Sequence, residues 1–210
     1  MSELTLVIGD RNFSSWSLRP WLLMRVAGIA FNEEQVRLRQ PDSKQNILRH
    51  SPSGKAPVLK DGGLVIWDSL AIAEYLAERF PEKSLWPGEV SARAHARAIA
   101  AEMHSGFQAL RTHLPMDILG NYPGKGVEEE GVAADVARVQ EIWRECRHMH
   151  AAKGPFLFGA FSIADAMFAP VVTRFSTYGV HRDPVCQNYM DAVANLPAML
   201  EWREGCTPLA

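Results

Sequence analysis

Cysteine is scarce in this sequence and absent from its first half. The chain has three cysteines, Cys146, Cys186 and Cys206. Because the number is odd and the spacings are wide, the pattern argues against a disulfide framework and favours a reducing compartment, so we expect a cytoplasmic protein. The lack of cysteine in the first half also excludes a Cys-x-x-Cys redox pair and a nucleophilic cysteine near the first predicted strand.

The chain also lacks the features of nucleic-acid-binding and membrane proteins. Its 22 Lys and Arg against 24 Asp and Glu give a formal net charge of −2, without a dense basic cluster. The longest apolar stretch, near residues 21–31, is shorter than the roughly 20 residues that span a bilayer. Residues 1–3 carry no basic leader. We therefore expect neither nucleic acid nor a membrane as partner.

Several catalytic motifs are missing as well. The seven histidines include no pair four residues apart, and we predict no metal site. The chain has no Gly-x-Gly-x-x-Gly and no Gly-x-Ser-x-Gly, which argues against dinucleotide binding and against a serine hydrolase.

Residues 1–80 carry alternating strand and helix patterns. The patterns predict a strand over residues 4–8, a helix over 15–26, a strand over 34–38, an optional short helix, two strands over 58–60 and 64–66, and a helix from residue 69 that ends before Pro81. Asp61-Gly62-Gly63 is typical of a tight hairpin turn. The order predicts a βαβ unit followed by a hairpin, in a mixed four-stranded α/β domain.

Beyond residue 80 the strand patterns stop. Residues 81–88 contain two prolines and a glycine and are interpreted as a linker. Residues 89–210 show only helical periodicity, which predicts an all-α bundle. The predicted helices cover residues 90–119, 128–152, 163–178, 184–194 and 197–205.

Two serines lie where the first strand hands over to the first helix. In open α/β sheets ligands bind at this edge, and the amides at a helix start favour an anion. Ser14 and Ser15 are therefore candidate ligand contacts. Helix capping is the alternative interpretation.

Two further segments have the chemistry to hold a peptide-like ligand. Pro57 heads a strand and forces Ala56 to be extended, so nearby backbone groups are free to pair with a peptide. An ordinary loop proline is the alternative. Asp68 can pair with an ammonium and Ser69, at a helix start, can hold a carboxylate, which together would bind an α-amino acid head group. Here too, helix capping is the alternative.

The helical half offers one structural motif and one candidate pocket. Ser162 and Asp165 have the spacing of a capping box, which we interpret as structural. Four side chains of the predicted helix over residues 90–119 have spacings compatible with one face, which would contact an apolar cosubstrate or pack in the core. They are Met103, Phe107, Leu110 and Arg111.

Taken together, and in their order along the chain, the motifs described above make the sequence resemble a cytosolic glutathione transferase over essentially its whole length. The serine-rich Ser14-Ser15-Trp16-Ser17-Leu18-Arg19 is similar to the zeta and theta classes, although Trp16 stands where the zeta motif has cysteine. The resemblance implies a thioredoxin-like domain over residues 1–80, a linker over 81–88, a helical domain over 89–210, and a homodimer.

The resemblance also implies roles for individual residues. The hydroxyl of Ser14 or Ser15 would donate to the glutathione sulfur. The backbone of Ala56 would pair with the cysteinyl part, ahead of a cis proline, Pro57. Asp68 and Ser69 would hold the γ-glutamyl group. Lys55 completes the predicted glutathione-binding set, and the Ser162–Asp165 box matches a folding element of the family.

The implied activity is attack of the glutathione thiolate on small apolar electrophiles, with glutathione as cosubstrate and no metal. Two alternatives stay open. One is a glutathione-dependent isomerase or peroxidase, which would use the same glutathione contacts. The other is a non-catalytic protein of the same fold that binds glutathione without turnover.

Overall fold

The computed structural model describes residues 3–208, so residues 1–2 of the first predicted domain and residues 209–210 of the second lie outside the described part of the chain. The strands are β1 (Leu4–Ile8), β2 (Asn32–Gln35), β3 (Val58–Asp61) and β4 (Leu64–Trp67). The helices are α1 (Ser15–Val26), α2 (Ser43–Leu48), α3 (Ser69–Arg79), α4 (Val90–Ser105), α5 (Gln108–His113), α6 (Val132–His150), α7 (Ile163–Thr177), α8 (Pro184–Ala194) and α9 (Pro197–Glu204).

The four strands form one mixed sheet in the order β2-β1-β3-β4. β1 and β2 are parallel around α1, whereas β3 is antiparallel to both β1 and β4. The predicted βαβ unit and hairpin are confirmed. The predicted bounds of the second strand are wrong, because β2 begins at Asn32 and ends at Gln35. The apolar alternation of Val36 and Leu38 instead reflects packing on Val7, Ile47 and Val58 beyond the strand.

The long helix predicted over residues 90–119 is two helices. α4 ends at Ser105, and Phe107 takes a left-handed φ of 60° before α5 begins. The Arg111 guanidinium then turns back and donates to the backbone carbonyls of Gly106 and Met103 at the end of α4. A glycine followed by a residue with positive φ ends a helix because the i to i−4 bonds cannot continue through it.

One apolar core joins the sheet-containing half to the helical half. α1 packs on α7, and a single cluster of buried side chains includes Trp21 and Leu22 of α1 with Phe168 and Val172 of α7. Full burial of each such side chain stabilises the fold by about 1.5 to 3 kcal/mol relative to exposure. The core therefore fixes α1, with the serines at its start, against the helical half.

The segment between the halves is packed rather than free. It begins with a short 3-10 helix, Pro81–Lys83, and then buries Leu85 and Trp86.

The capping box at the start of α7 is confirmed, since the Ser162 amide donates to Asp165 Oδ2 at 2.9 Å. Within residues 3–208, no helix has the length and apolarity that crossing a bilayer requires.

Candidate functional site

The two candidate serines lie at the start of α1, where β1 has just ended. Both are nearly buried, with 5% of Ser14 and 7% of Ser15 exposed. The Ser14 hydroxyl donates to Ser17 Oγ at 2.7 Å, and Ser17 Oγ also accepts from the Gly9 amide at 3.0 Å. The helix start is thus held to the end of β1 by side-chain hydroxyls. Ser14 bonds sideways to another serine rather than capping an amide of the helix.

The Ala56-Pro57 segment comes directly before β3. The peptide bond between the two residues is cis, as the resemblance implies. Pro57 is buried, Ala56 is half-buried, and Lys55 is exposed with its amide donating to Ser53 Oγ at 3.2 Å. The segment therefore lies just outside the hydrogen-bonded ladder of the sheet.

Asp68 and Ser69 occupy the start of α3. Asp68 has a φ of 77°, and its Oδ1 caps the helix by accepting from the amides of Leu70 and Ala71. Its Oδ2 lies 3.1 Å from Nε2 of His104, on α4. Ser69 is 1% exposed. The capping alternative is correct for Asp68, yet one carboxylate oxygen still points toward the second half of the molecule.

His104 is the link between Asp68 and the serine segment. Its ring lies edge-on to Trp16, with 5.4 Å between the centroids. Burial, more than any other factor, lowers the pKa of His104, and Arg19 and Arg111 act in the same direction while Asp68 opposes them. His104 is consequently neutral at pH 7 and contributes no charge of its own to the Asp68 contact.

Two arginines pack on the ring of Trp16. The guanidinium carbons of Arg19 and Arg111 lie 4.3 and 4.7 Å from its ring centroid, within the range of cation–π contacts. Arg19 Nη1 is also 3.5 Å from Ser69 Oγ. Through these contacts the starts of α1 and α3 face one shared region. Sequence reasoning missed Arg19 and His104 here. Arg19 had a signal, because it lies one turn after Ser15 on the same helix.

The predicted pocket residues do not share one helical face, since the chain breaks between α4 and α5. Met103 and Leu110 are 1% and 0% exposed and belong to the core, and Phe107 is 7% exposed. Of the four, Arg111 contacts the candidate site, because its guanidinium packs on the ring of Trp16. Met103 and Leu110 therefore pack in the core, which is the alternative interpretation of the sequence.

The thiols of the protein are poor nucleophiles. Burial raises the pKa of Cys146 and of Cys186 to about 12, and the pKa of Cys206 to about 11. Since the thiolate is the reactive form, all three are inert near neutral pH. Within the described residues, no group of three or more His, Cys, Asp or Glu is placed to hold a metal ion.

Family models match both halves of the chain. The model described as "Glutathione S-transferase, N-terminal domain" matches residues 13–79, and "Glutathione S-transferase, C-terminal domain" matches residues 93–210. A "Probable maleylacetoacetate isomerase" of Caenorhabditis elegans is 25% identical over 201 residues, 90% of this chain and 88% of that protein. A "Stringent starvation protein A homolog" of Coxiella burnetii is 25% identical over 87% of this chain and 81% of that protein.

Solved structures match the fold along almost the whole chain. A glutathione transferase homolog from Burkholderia, crystallised with bound glutathione, has a TM-score of 0.73 at 21% identity and covers 96% of both chains. Ure2p in complex with glutathione has a TM-score of 0.70 at 18% identity, over 97% of this chain and 94% of that one. At these identities the likeness establishes the fold, a small mixed sheet with helices followed by a helical domain, which confirms the predicted fold class.

Proposed function

Because the chain belongs to the glutathione S-transferase family, we propose that it binds glutathione between the starts of α1 and α3 and transfers its thiolate to small apolar electrophiles. The observation that carries the proposal is that the serine-containing start of α1 and the Asp68–Ser69 start of α3 face the same region. Ser14 and Ser15 lie at the start of α1 and Asp68 and Ser69 at the start of α3, and the two helices meet where Arg19 Nη1 lies 3.5 Å from Ser69 Oγ.

Each end of glutathione has a proposed partner. Asp68 takes the ammonium of the γ-glutamyl group, and Ser69 takes its carboxylate at a helix start, where backbone amides favour an anion. The backbone of Ala56, before Pro57, pairs with the cysteinyl residue. Lys55 is exposed beside it and contacts the remainder of the peptide.

The proposed chemistry is ionisation of the bound thiol. A free cysteine thiol has a pKa near 8.5, and a decrease of about two units, equivalent to about 2.7 kcal/mol, makes most of it thiolate at neutral pH. A serine hydroxyl that donates to the sulfur and the start of α1 each contribute on the order of 1 kcal/mol or more. Arg19 and Arg111 add positive charge to the same region.

Serine substitutions test this ionisation. We expect Ser14→Ala, Ser15→Ala or both to lower the rate of conjugation of a chlorinated aromatic substrate about 10- to 100-fold, the effect of one hydrogen bond to a charged group. The thiolate absorption of bound glutathione should shift to higher pH in the same variant. Ser176→Ala, on the exposed side of α7, is the control. If both serine variants kept wild-type rates, the proposed thiol activation would be wrong.

Isomerisation is the second candidate, and the Caenorhabditis elegans relative favours it. An isomerase returns glutathione unchanged, a transferase consumes one glutathione per product, and a peroxidase converts it to the disulfide. Measuring glutathione consumed per turnover therefore separates the three. Glutathione binding in calorimetry with no turnover in any assay would indicate the non-catalytic alternative.

We further propose that the protein acts in the cytoplasm as a homodimer with a role in detoxification. The support is the likeness of the whole chain to glutathione transferases. Sedimentation equilibrium tests the assembly, because a dimer of this 23.4 kDa chain is readily distinguished from the monomer.

A further inference from the structure

A small cavity lies where the segment between the two halves, residues 81–88, meets the helical half. Its volume is about 250 Å³, and it is bounded by that segment, the start of α4 and the loop that joins α6 to α7. Three aromatic side chains line it, Trp86 from the segment with Phe158 and Phe161 from the loop. It shares no lining residue with the candidate functional site. The cavity is therefore a separate place where a ligand can bind.

Hydrogen bonds hold the connecting segment in place beside the cavity. Trp86 Nε1 donates to Glu74 Oε2 of α3 at 3.1 Å, and the side chain is only 6% exposed. The Leu85 carbonyl accepts from the Ile163 amide, at the start of α7, at 2.9 Å. A wall that is fixed in this way needs little reordering when a ligand binds, which lowers the free-energy cost of binding.

The wall contributed by the helical half is aromatic and uncharged. Phe158 lies between two imidazoles, with its ring centroid 5.6 Å from that of His95 and 5.0 Å from that of His150. His150 also lines the cavity, and burial is the largest of the causes that lower its pKa. Because His150 is therefore neutral at pH 7, it presents a planar ring to the cavity and no cation.

Two residues of opposite charge line the cavity, Glu89 and Lys153. The Glu89 carboxylate already accepts hydrogen bonds at the start of α4, from the Ser91 hydroxyl and from the amides of Ser91 and Ala92. These hydrogen bonds, first that from the Ser91 hydroxyl, lower the pKa of Glu89 to about 2, and the charge of Lys153 contributes least.

Lys153 is the charge that remains available. Within residues 3–208 its ammonium makes no hydrogen bond or ion pair. The amides at a helix start compensate the charge of Glu89, so this carboxylate repels an anion less than a free carboxylate would. The charge that the cavity offers to a ligand is therefore positive.

Size, shape and charge together define the chemistry of a ligand. Pockets for drug-sized molecules begin at about 300 Å³, so this cavity suits one or two fused rings. Aromatic side chains favour offset or edge contacts with another flat ring, and an ammonium pairs with a carboxylate. We propose that the cavity binds a small planar aromatic carboxylate, with its ring among Trp86, Phe158 and Phe161 and its carboxylate at Lys153. This inference does not rest on glutathione binding.

Calorimetry with two naphthalene compounds tests the proposal. Naphthalene-2-carboxylate has the ring and the charge, and naphthalene-2-carboxamide has the same ring and nearly the same shape without the charge. Wild-type protein should bind the carboxylate about 3- to 10-fold more tightly, the effect of one ion pair at a partly exposed site. Lys153→Met, which keeps an apolar side chain, should bind the two compounds equally, and Lys153→Arg should keep the preference.

Lys125→Met is the matched control, because Lys125 is also exposed and lies outside the cavity, in the loop between α5 and α6. It should bind both compounds as wild type does. Wild-type protein that binds neither compound, or binds both equally, overturns the inference. A preference for the carboxylate that survives in Lys153→Met overturns it as well.

A second titration separates this cavity from the candidate functional site, where Arg19 and Arg111 also attract anions. The affinity for naphthalene-2-carboxylate should be unchanged in the presence of saturating S-hexylglutathione. Competition between the two would place the carboxylate in the candidate functional site and overturn the inference. The Lys153 comparison keeps its meaning even if the protein binds no glutathione, so failure of the proposed function and failure of this inference are distinguishable.

Discussion

Two glycines in the loop between α5 and α6 show how a single residue limits the fold. Gly124 and Gly126 both have left-handed backbones, with φ values of 79° and 72°. A Cβ on Gly124 would meet nothing within 4 Å, whereas a Cβ on Gly126 would lie 2.5 Å from the backbone oxygen of His113. The two sites share the conformational requirement for glycine and differ in the space available.

We expect Gly126→Ala to lower the free energy of unfolding by about 2 to 4 kcal/mol, because it adds a backbone clash to the strain of a left-handed alanine. Gly124→Ala carries only the strain, and we expect a loss of about 1 kcal/mol or less. Urea denaturation of both variants checks the difference. Equal losses would contradict the argument from space.

The candidate site is also informative residue by residue. The positions of Asp68 and Ser69 at a helix start follow from sequence, because capping is local chemistry. The pairing of Asp68 with His104, and the edge-on contact of Trp16 with His104, join distant segments. Such contacts depend on how α1 and α4 pack, which periodicity within one helix does not specify.

At the scale of elements, two helices begin with acids in opposite surroundings. Asp165 is buried at the start of α7, and this burial raises its pKa to about 6 from 3.8. Glu89 caps α4 in the open, and hydrogen bonds, first from the Ser91 hydroxyl and then from the Ser91 and Ala92 amides, lower its pKa to about 2 from 4.5. The two helix starts therefore respond to pH with opposite signs.

We expect the contribution of Asp165 to the free energy of unfolding to fall as pH rises from about 4 to 6. In this interval the folded chain binds more protons than the unfolded chain, because the folded pKa is the higher one. The full change is about 3 kcal/mol. Urea denaturation of wild type and Asp165→Asn across this range measures it as the difference between the two proteins, which should shrink with rising pH.

Glu89→Gln gives the comparison of opposite sign. Glu89 has the lower pKa in the folded chain, so its contribution is present above about pH 4.5 and is lost as the pH falls toward 2. The difference between wild type and Glu89→Gln should therefore grow with pH over that range. A difference for Asp165→Asn that grew with pH, or stayed constant, would show that its carboxyl is not destabilised by burial.

Helix bounds show which element-level information is local. α1, α8 and the start of α3 agree with prediction, since serine, aspartate and proline mark their first residues. The break between α4 and α5 was missed because apolar spacing continues through it. Gly106 was the available signal, but only the packing of Phe107 and the return of Arg111 determine that the helix ends there.

At the scale of the molecule, α9 packs against the first half of the chain. Trp202 is fully buried, its Nε1 donates to the Arg11 carbonyl at 2.9 Å, and its ring lies 5.0 Å from that of Trp21. The Arg11 guanidinium lies over both rings and pairs with Glu33 at 2.7 Å. Residues nearly 200 positions apart thus share one packed cluster.

This cluster should make the two halves unfold together. We expect Trp202→Ala to lower the free energy of unfolding by about 3 to 5 kcal/mol, the usual effect of removing a buried Trp side chain. Leu200→Ala, on the exposed side of the same helix, should change it by about 0.5 kcal/mol or less. Hydrogen exchange should show that Trp202→Ala weakens the protection of amides in β1 and α1 more than in α6, because the lost contacts belong to the first half. A Trp202 variant as stable as the Leu200 variant, or one with equal loss of protection in α1 and α6, would mean that α9 does not couple the two halves.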